Sequence, residues 1–484
     1  MILVDINLIS SQNWIQFGNT IYGTYSGDGA GSSVSLSGDG TVLAVGSPNN
    51  DINGTSSGKV SVYKLVNSQW VQLGSDLNGQ SSYRYSGSAI KLSRDGKTLI
   101  IGSATDRDTN GNWYGSIKIY RWNNILWEQI GNTIYGDVYG AYFGYTVGIS
   151  SDGNKVIAGS PYDYNKVKAY SWDNISWQQM GNSILGDQHS GLTGGAVDLS
   201  ADGNSIIVGE PYNSKNGNNS GKVKIYSWNG TNWIQKGNEL VGMLEDRFGH
   251  NVNINSSGNT IVIGAPLNDT NGQNTGEIKV YNFVNDSWVQ KGQSFFGKIA
   301  TTAECCSANF ASSIDDSGDT FAYWSVSKSS PSSGSVVVNM WNGIQWNQKG
   351  DSIFGGSGNN TNVNFVNLSS DGQNVAIGFP YDFTFNDGKN RGRVKTYNWN
   401  LTTSNKYDYS ATTKIYPNPL NNHLFTNSDN TVTKVNVYNV DGKLVYENTN
   451  LNIKSIDLKA LLPGIYFLRI YTDKGVENNR IIKN

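Results

Sequence analysis

The chain is expected to be all-β, a seven-bladed β-propeller of four-stranded blades followed by a small Ig-like β-sandwich. Three observations predict this: a pentapeptide that recurs at a fixed period, strand and turn chemistry repeated inside each period, and a change of composition near residue 401.

The pentapeptide Trp-x-Gln-x-Gly begins at Trp14, Trp70, Trp127, Trp177, Trp233, Trp288 and Trp346, with gaps of 56, 57, 50, 56, 55 and 58 residues. Self-similarity at roughly 40–50 residues, with about four strands per unit, marks a propeller, and these units run slightly longer. The 57 Gly, 14 Trp and 27 Tyr against 4 Met and 9 Pro suit short strands joined by tight turns, while helix formers are scarce.

Each unit reads as four strands. The first alternates apolar and polar residues, as in Val34-Ser35-Leu36-Ser37. The second is solidly apolar, as in Leu99-Ile100-Ile101-Gly102, which fits a strand buried on both faces. Between them stand Asp39-Gly40, Asp95-Gly96, Asp152-Gly153, Asp202-Gly203 and Asp371-Gly372, read as primed hairpin turns. The third alternates again, as in Lys59-Val60-Ser61-Val62-Tyr63, and the fourth carries the pentapeptide, its Trp, Gln and Gly on one face. One Trp per unit reads as packing between blades, each burying roughly 200 Å². The last unit lacks a pentapeptide and the first copy lacks a preceding unit, so Trp14 to Gly18 is expected to form the outer strand of the last blade and close the ring.

A net charge of −2 with scattered Lys and Arg gives no footprint for nucleic acid. No run of 18 apolar residues is present, so no membrane span is expected. The N-terminus shows no signal peptide, and a secreted form would have lost one. Cys305 and Cys306 are neighbours and cannot build a disulfide framework; a strained vicinal disulfide or two free thiols are both open. With His189 and His250 the only histidines of the repeats, each read as a surface loop residue, no metal site is expected, no cofactor is indicated, and no catalytic residue is singled out.

Phe143-Gly144, Phe248-Gly249, Ile263-Gly264-Ala265-Pro266, Gly46-Ser47-Pro48 and Gly159-Ser160-Pro161 resemble the FG-GAP repeats of integrin-α-like propellers, over residues 12 to 400. Calcium-binding members carry an acidic Asp-x-Asp-x-Asp-Gly loop, whereas these hairpins read Leu-Ser-x-Asp-Gly. In a propeller the loops joining strand four to the next strand one, and strand two to strand three, emerge on one face. There this sequence places its candidate ligand-binding residues: Tyr83, Arg84, Tyr85, Asp106, Arg107, Asp108, Trp113, Tyr114, Tyr139, Tyr142, Tyr162, Asp163, Glu245, Asp246 and Arg247. Nearby are Tyr22, Tyr25, Asp28, Asp137, Tyr164, Tyr212, Tyr381 and Asp382. Aromatic platforms beside carboxylates suit sugar rings or protein surfaces. The expected function is therefore glycan or protein binding, or adhesion; a polysaccharide lyase or glycosidase is the alternative, and a structural surface component a third reading.

The boundaries expected are an N-terminal extension at 1–11, the propeller at 12–400, a polar linker at 401–411 and a β-sandwich at 412–484. The last segment contains Tyr416-Pro417-Asn418-Pro419, the turn Asp441-Gly442-Lys443 and Pro463-Gly464-Ile465-Tyr466 between alternating strands. It resembles the type A C-terminal sorting domain of the type IX secretion system. That resemblance implies recognition by the outer-membrane translocon and its shuttle protein, then secretion or attachment to the outer-membrane surface.

Overall fold

The computed structural model describes residues 12–162, 165–187, 191–297, 311–326, 334–354, 365–382, 390–401, 413–427, 431–439, 443–450, 453–472 and 475–484. The N-terminal extension, Asp163, Tyr164, His189, Cys305, Cys306, the linker after Leu401 and the pair Asp441 and Gly442 lie outside them. The chain divides into two compact units, one of which spans Asn13–Asn400 and the other includes Leu401–Asn484.

Described residues of the larger unit form seven antiparallel sheets and no helix. The first runs Ser33–Leu36, Val42–Ser47, Lys59–Val66 and Gln69–Gln72, with Val34 opposite Val45, Leu43 opposite Tyr63 and Leu65 opposite Trp70. The second strands Val42–Ser47, Thr98–Ser103, Ser205–Glu210 and Thr260–Ala265 are buried along their whole length, as their apolar runs require. The glycine ending such a strand has a steric reason: a Cβ on Gly209 would stand 2.0 Å from the Gly249 carbonyl oxygen of the next sheet. The two glycine motifs of each repeat therefore meet across the gap between sheets.

Successive sheets follow one another round an axis. At one end, backbone hydrogen bonds run from Gly38 N to Arg94 O, Arg94 N to Ser151 O, Ser151 N to Ala201 O and Ala201 N to Ser256 O, at 2.7 to 3.1 Å. The Asn255 amide reaches Asp316 O at 3.3 Å, Asp316 N donates to Ser370 O, and Ser370 N returns to Gly38 O, both at 2.9 Å. The last sheet thus meets the first in a β-propeller arrangement. Gln12–Tyr22 lies beside Arg393–Leu401, the position expected of the closing strand.

The pentapeptide works as a latch between sheets. The indole Nε1 of Trp14, Trp127, Trp177, Trp233, Trp288 and Trp346 donates to a backbone carbonyl of the preceding outer strand at 2.7 to 3.1 Å. Its ring lies over the preceding motif's glycine: a Cβ on Gly292 would stand 2.8 Å from Trp346, and Gly292 has φ +75°. At this glycine the outer strand is interrupted in six sheets, leaving a short piece such as Leu77–Asn78 paired further along the third strand, whereas Gln12–Tyr22 runs unbroken through Gly18. The motif's Gln does not share the buried face. In five copies it is exposed and its Nε2 donates to the carbonyl of its own motif's glycine, two residues on, at 2.9 to 3.2 Å. Trp70 departs from the pattern because the strand before it is the closing one. Its Nε1 donates to Thr396 Oγ1 at 2.9 Å, and that hydroxyl donates to Phe17 O at 2.6 Å.

The Asp-Gly turns are not primed turns, which need positive φ at a central residue. Here Gly40, Gly153 and Gly203 have φ from 66° to 70°, and Gly40 N bonds back to Ser37 O, so glycine is the fourth residue of the turn. Ser150 Oγ donates to Asp152 Oδ1 at 2.6 Å, the Asn154 amide donates to the same oxygen at 3.0 Å, and the Lys155 amide donates to Ser150 Oγ at 2.9 Å. Burial raises the Asp152 pKa, but the hydrogen bonds from Ser150 and Asn154 outweigh it and hold the carboxyl below its ordinary value; Asp39 and Asp202 behave alike. A carboxylate depressed by folding stabilises the fold above its unfolded pKa of about 3.9, and that contribution is lost as pH falls through the folded value. Asp152→Ala is expected to cost about 1 kcal/mol at neutral pH and less near pH 2.5, read from thermal melts at both. Equal losses at the two pH values would rule out the ionised turn as the cause.

In the smaller unit, Lys414–Tyr416, His423–Asn427 and Ser455–Asp457 form one sheet. Leu444–Asn448, Val432–Tyr438, Gly464–Thr472 and Gly475–Lys483 form a second. Both contribute to a core that includes Leu424, Val435, Val437, Ile456, Leu468 and Ile470.

Candidate binding site on the propeller axis

The inner strands surround a cavity of about 540 Å³ at one end of the axis, to which all seven sheets contribute. A smaller cavity of about 120 Å³ continues along the axis, sharing Lys91, Asn253, Ser313 and Asn367 with the first. There Lys91 Nζ lies 3.6 Å from Asp198 Oδ1, and Arg94 pairs with Asp316. Burial pushes the Asp316 carboxyl above its ordinary value against the pull of Ser370 and Arg94.

The mouth is shaped by one repeated turn. Residues 29–32, 85–88, 142–145, 192–195 and 247–250 each close a four-residue turn whose last amide donates to the first carbonyl at 2.9 to 3.1 Å. The third residue is glycine with φ from 85° to 90°, which makes these type II turns and explains the Gly of these five repeats. The first residue is also left-handed: Gly29, Tyr85, Tyr142, Leu192 and Arg247 have φ from 50° to 66°. Tyr85 and Tyr142 line the cavity from this position, and Ser88, Tyr145, Gly195 and His250 line it from the fourth.

Of the candidate residues, the structure gathers four aromatics into one cluster. Trp113 meets Tyr139 at 6.0 Å and Tyr142 at 4.7 Å, Tyr142 meets Tyr162 at 4.8 Å, and Tyr162 meets Tyr145 at 6.5 Å between ring centroids. This run of rings reaches the cavity at Tyr142 and Tyr145. Burial raises the phenol pKa of both, neighbouring tyrosines adding to it.

The carboxylates behave differently. Asp106 is 2% exposed and accepts from Ser116 Oγ at 2.7 Å and Lys118 Nζ at 3.0 Å, with Arg84 Nε at 3.4 Å. Asp246 is 4% exposed and accepts from the Met243 amide at 2.8 Å and Asn268 Nδ2 at 3.1 Å. Asp28 does the same with Thr24, Tyr25 and Asn50. These three organise their own loops and do not face solvent. Asp108 accepts from the amides of Asn110 and Asn112 within its loop. Arg107 pairs its backbone with Trp113, Tyr114 is half-buried, and Tyr83 and Glu245 are exposed at left-handed positions. The Arg247 guanidinium lies 4.8 Å over the Tyr212 ring.

His250 is not a surface loop residue. It lines the cavity, and burial, with Arg247 nearby, holds its pKa at about 4, so the imidazole is neutral at pH 7. Sequence reasoning also passed over Tyr145, Asn251, Asn253, Phe365 and Asn367. The available signal was the residue after each Phe-Gly-type pair, which varies as Ser32, Ser88, Tyr145, Gly195 and His250. Among the described residues no group of three His, Cys, Asp or Glu side chains could hold a metal ion, and no helix is long and apolar enough to cross a membrane.

In the smaller unit, Tyr416 is exposed and stacks on Phe425 at 5.9 Å. Asn418 Oδ1 accepts from the Ile482 amide at 2.9 Å, and the Leu420 amide donates to Ile482 O at 2.8 Å, so the opening segment containing Pro417 and Pro419 is tied to the terminal strand. Tyr466 Oη donates to Leu462 O at 2.8 Å across Pro463 and Gly464, and the Lys443 amide donates to Asn439 Oδ1 at 2.9 Å.

Residues 414–484 match the secretion system C-terminal sorting domain, and residues 242–281 match the FG-GAP repeat. No curated protein matches the chain. Among solved structures, the chain is similar to the β-propeller domain of Cps50 (Swd1) from Myceliophteria thermophila, at 11% identity and TM-score 0.49, covering 79% of this chain and 98% of that one. It is also similar to the periplasmic gluconolactonase PpgL of Pseudomonas aeruginosa, at 12% identity and TM-score 0.44, covering 66% of this chain and 83% of that one. The chain therefore combines an FG-GAP-repeat β-propeller with a type IX C-terminal sorting domain, which marks it for export to the cell surface or for secretion.

Proposed function

We propose that this is an exported binding protein. Residues 12–400 act as a seven-bladed propeller closed by its N-terminal strand, and residues 412–484 as an Ig-like sorting module read by the outer-membrane translocon and its shuttle protein. The ligand is a glycan held on the loop face. One observation carries the reading: the run of rings Trp113, Tyr139, Tyr142, Tyr162 and Tyr145 leads into the axial cavity. Contiguous rings with solvent-facing surfaces stack on the apolar faces of sugars, while amides and hydroxyls deeper in the cavity satisfy sugar hydroxyls.

The test is a glycan panel probed with the chain and with Trp113→Ala. Saturable binding is expected, weakened about tenfold by the substitution, since a buried aromatic anchor is worth more than about 1 kcal/mol. Absence of binding to every glycan would sink the proposal, and shortening of the glycans during incubation would replace it with a polysaccharide-degrading enzyme.

A further inference from the structure

The turns at the cavity mouth carry a cost that the backbone does not require. A side chain in the left-handed region is strained, more so for a bulky one. At this turn position the first sheet uses Gly29, which shows that glycine satisfies the geometry, yet the following four sheets place Tyr85, Tyr142, Leu192 and Arg247 there. Arg247 packs on Tyr212 and Tyr142 on Trp113 and Tyr162, whereas Tyr85 and Tyr142 line the cavity and present their rings to whatever enters it.

The cavity walls indicate what that is. Asn251, Asn253 and Asn367 place amides beside the hydroxyls of Thr146, Ser312 and Ser313. Ser312 Oγ donates to Asn251 Oδ1, Thr146 Oγ1 donates to Gly194 O at 2.7 Å and Ser313 Oγ accepts from the Leu368 amide at 3.0 Å, so a sugar meets the remaining N–H groups and lone pairs. Asn367 Oδ1 already accepts from the Leu36 amide at 2.7 Å, which fixes the orientation of its amide. Among the described lining residues no carboxylate faces the cavity, and Lys91 has Asp198 as its ionic partner. An acidic sugar would give up hydration here without an unpaired cation on those walls, whereas uncharged hydroxyls find donors and acceptors. A cavity of about 540 Å³ lies within the usual size of small-molecule sites and has room for roughly one or two sugar rings.

We infer that the axial cavity takes the uncharged, hydroxyl-rich end of a saccharide chain, inserted end-on, and that Tyr85 and Tyr142, which line its mouth, select it. This rests on the glycan-binding reading above and adds the ligand's charge class, its direction of entry and the residues that discriminate.

The experiment measures affinity and Tm for the full chain and for Tyr85→Gly and Trp113→Ala. The probes are neutral oligosaccharides of two to six hexoses and matched uronate oligosaccharides. Neutral oligomers are expected to bind at least tenfold more tightly than uronates, with a gain in affinity that stops after the first two rings that fill the cavity and the few that cover Trp113. Tyr85→Gly should keep or raise Tm while weakening neutral-oligomer binding at least tenfold, a combination that a packing role would not produce. Lowered Tm or unchanged affinity in Tyr85→Gly, or uronates bound as tightly as neutral oligomers, would each overturn the inference. If Trp113→Ala loses binding while Tyr85→Gly does not, this inference falls and the proposed function stands. If no saccharide of either class binds the unmodified chain, the proposed function falls and takes the inference with it.

Discussion

Replacing Trp346 by alanine is expected to lower the stability of the propeller by about 3–5 kcal/mol, the usual range for truncating a fully buried Trp. The indole is 3% exposed and donates Nε1–H to Lys291 O at 2.7 Å. Its ring contacts Phe321 edge-on at 4.9 Å and Trp341 at 5.3 Å, with Lys291 Nζ 5.0 Å above the centroid. It belongs to a core that joins Val262, Ile278 and Val280 of the fifth sheet to Phe321 and Val337 of the sixth. Truncation therefore removes packing from both sheets and leaves a carbonyl without its donor. Trp346→Phe should keep most of the packing and lose the hydrogen bond, at about 1–2 kcal/mol. Trp177, half-buried in the same latch, gives the comparison: Trp177→Ala should cost clearly less than Trp346→Ala. Urea unfolding reads all three, and equal small losses at 346 and 177 would refute the latch as a source of stability.

Lys222→Met should be comparably damaging, and its effect should depend on pH. Lys222 and Glu210 are each 1% exposed, with Nζ 3.4 Å from Oε2; Lys222 also pairs with Asp187 and lies 4.0 Å from Glu239. Removing one member of a buried pair leaves the other charge uncompensated, at a cost of about 3–5 kcal/mol. Burial already pushes the Glu210 carboxyl above its ordinary value even with Lys222 beside it. A carboxyl raised by folding binds its proton more tightly in the native state, so the native state loses ground as pH rises above the unfolded value and regains it on acidification. Without Lys222 the pKa rises further. The deficit of Lys222→Met should thus be largest at pH 7 to 8 and shrink as pH falls toward about 5. Adding Glu210→Gln should restore much of the loss at pH 7. A deficit independent of pH, or no recovery in the double variant, would show that lost packing and not the stranded charge is responsible.

Much of this architecture could be read from the chain because each repeat states its own chemistry locally. The apolar runs at Leu99-Ile100-Ile101 and Ile261-Val262-Ile263 are buried strands, and the unmatched pentapeptide at Trp14 lies beside Arg393–Leu401 as the counting required. Turn type was misread at Asp39-Gly40 and its repeats because Asp-Gly serves several turn geometries; the Ser37 side chain, which bonds both Asp39 and the Val42 amide, selects the one adopted. The carboxylates at 106 and 246 were misread for a related reason. A loop aspartate looks the same in sequence whether it faces solvent or gathers the amides of its own loop, and only burial separates the two.

What the sequence determined by itself was everything with a period: the repeating sheets, the glycines that let them approach, the tryptophans that join them, and the sorting domain with its ordered local motifs. What only the tertiary structure decided was the axis. Tyr145, Asn251 and Asn367 come from different sheets and share one cavity, and the Arg94–Asp316 pair joins residues far apart in the chain. No local rule links such positions, because their proximity follows from closing the circle of sheets and not from any neighbouring residue. Closure is set by many weak repeated contacts, and the chemistry it encloses depends on the few positions where the repeats differ.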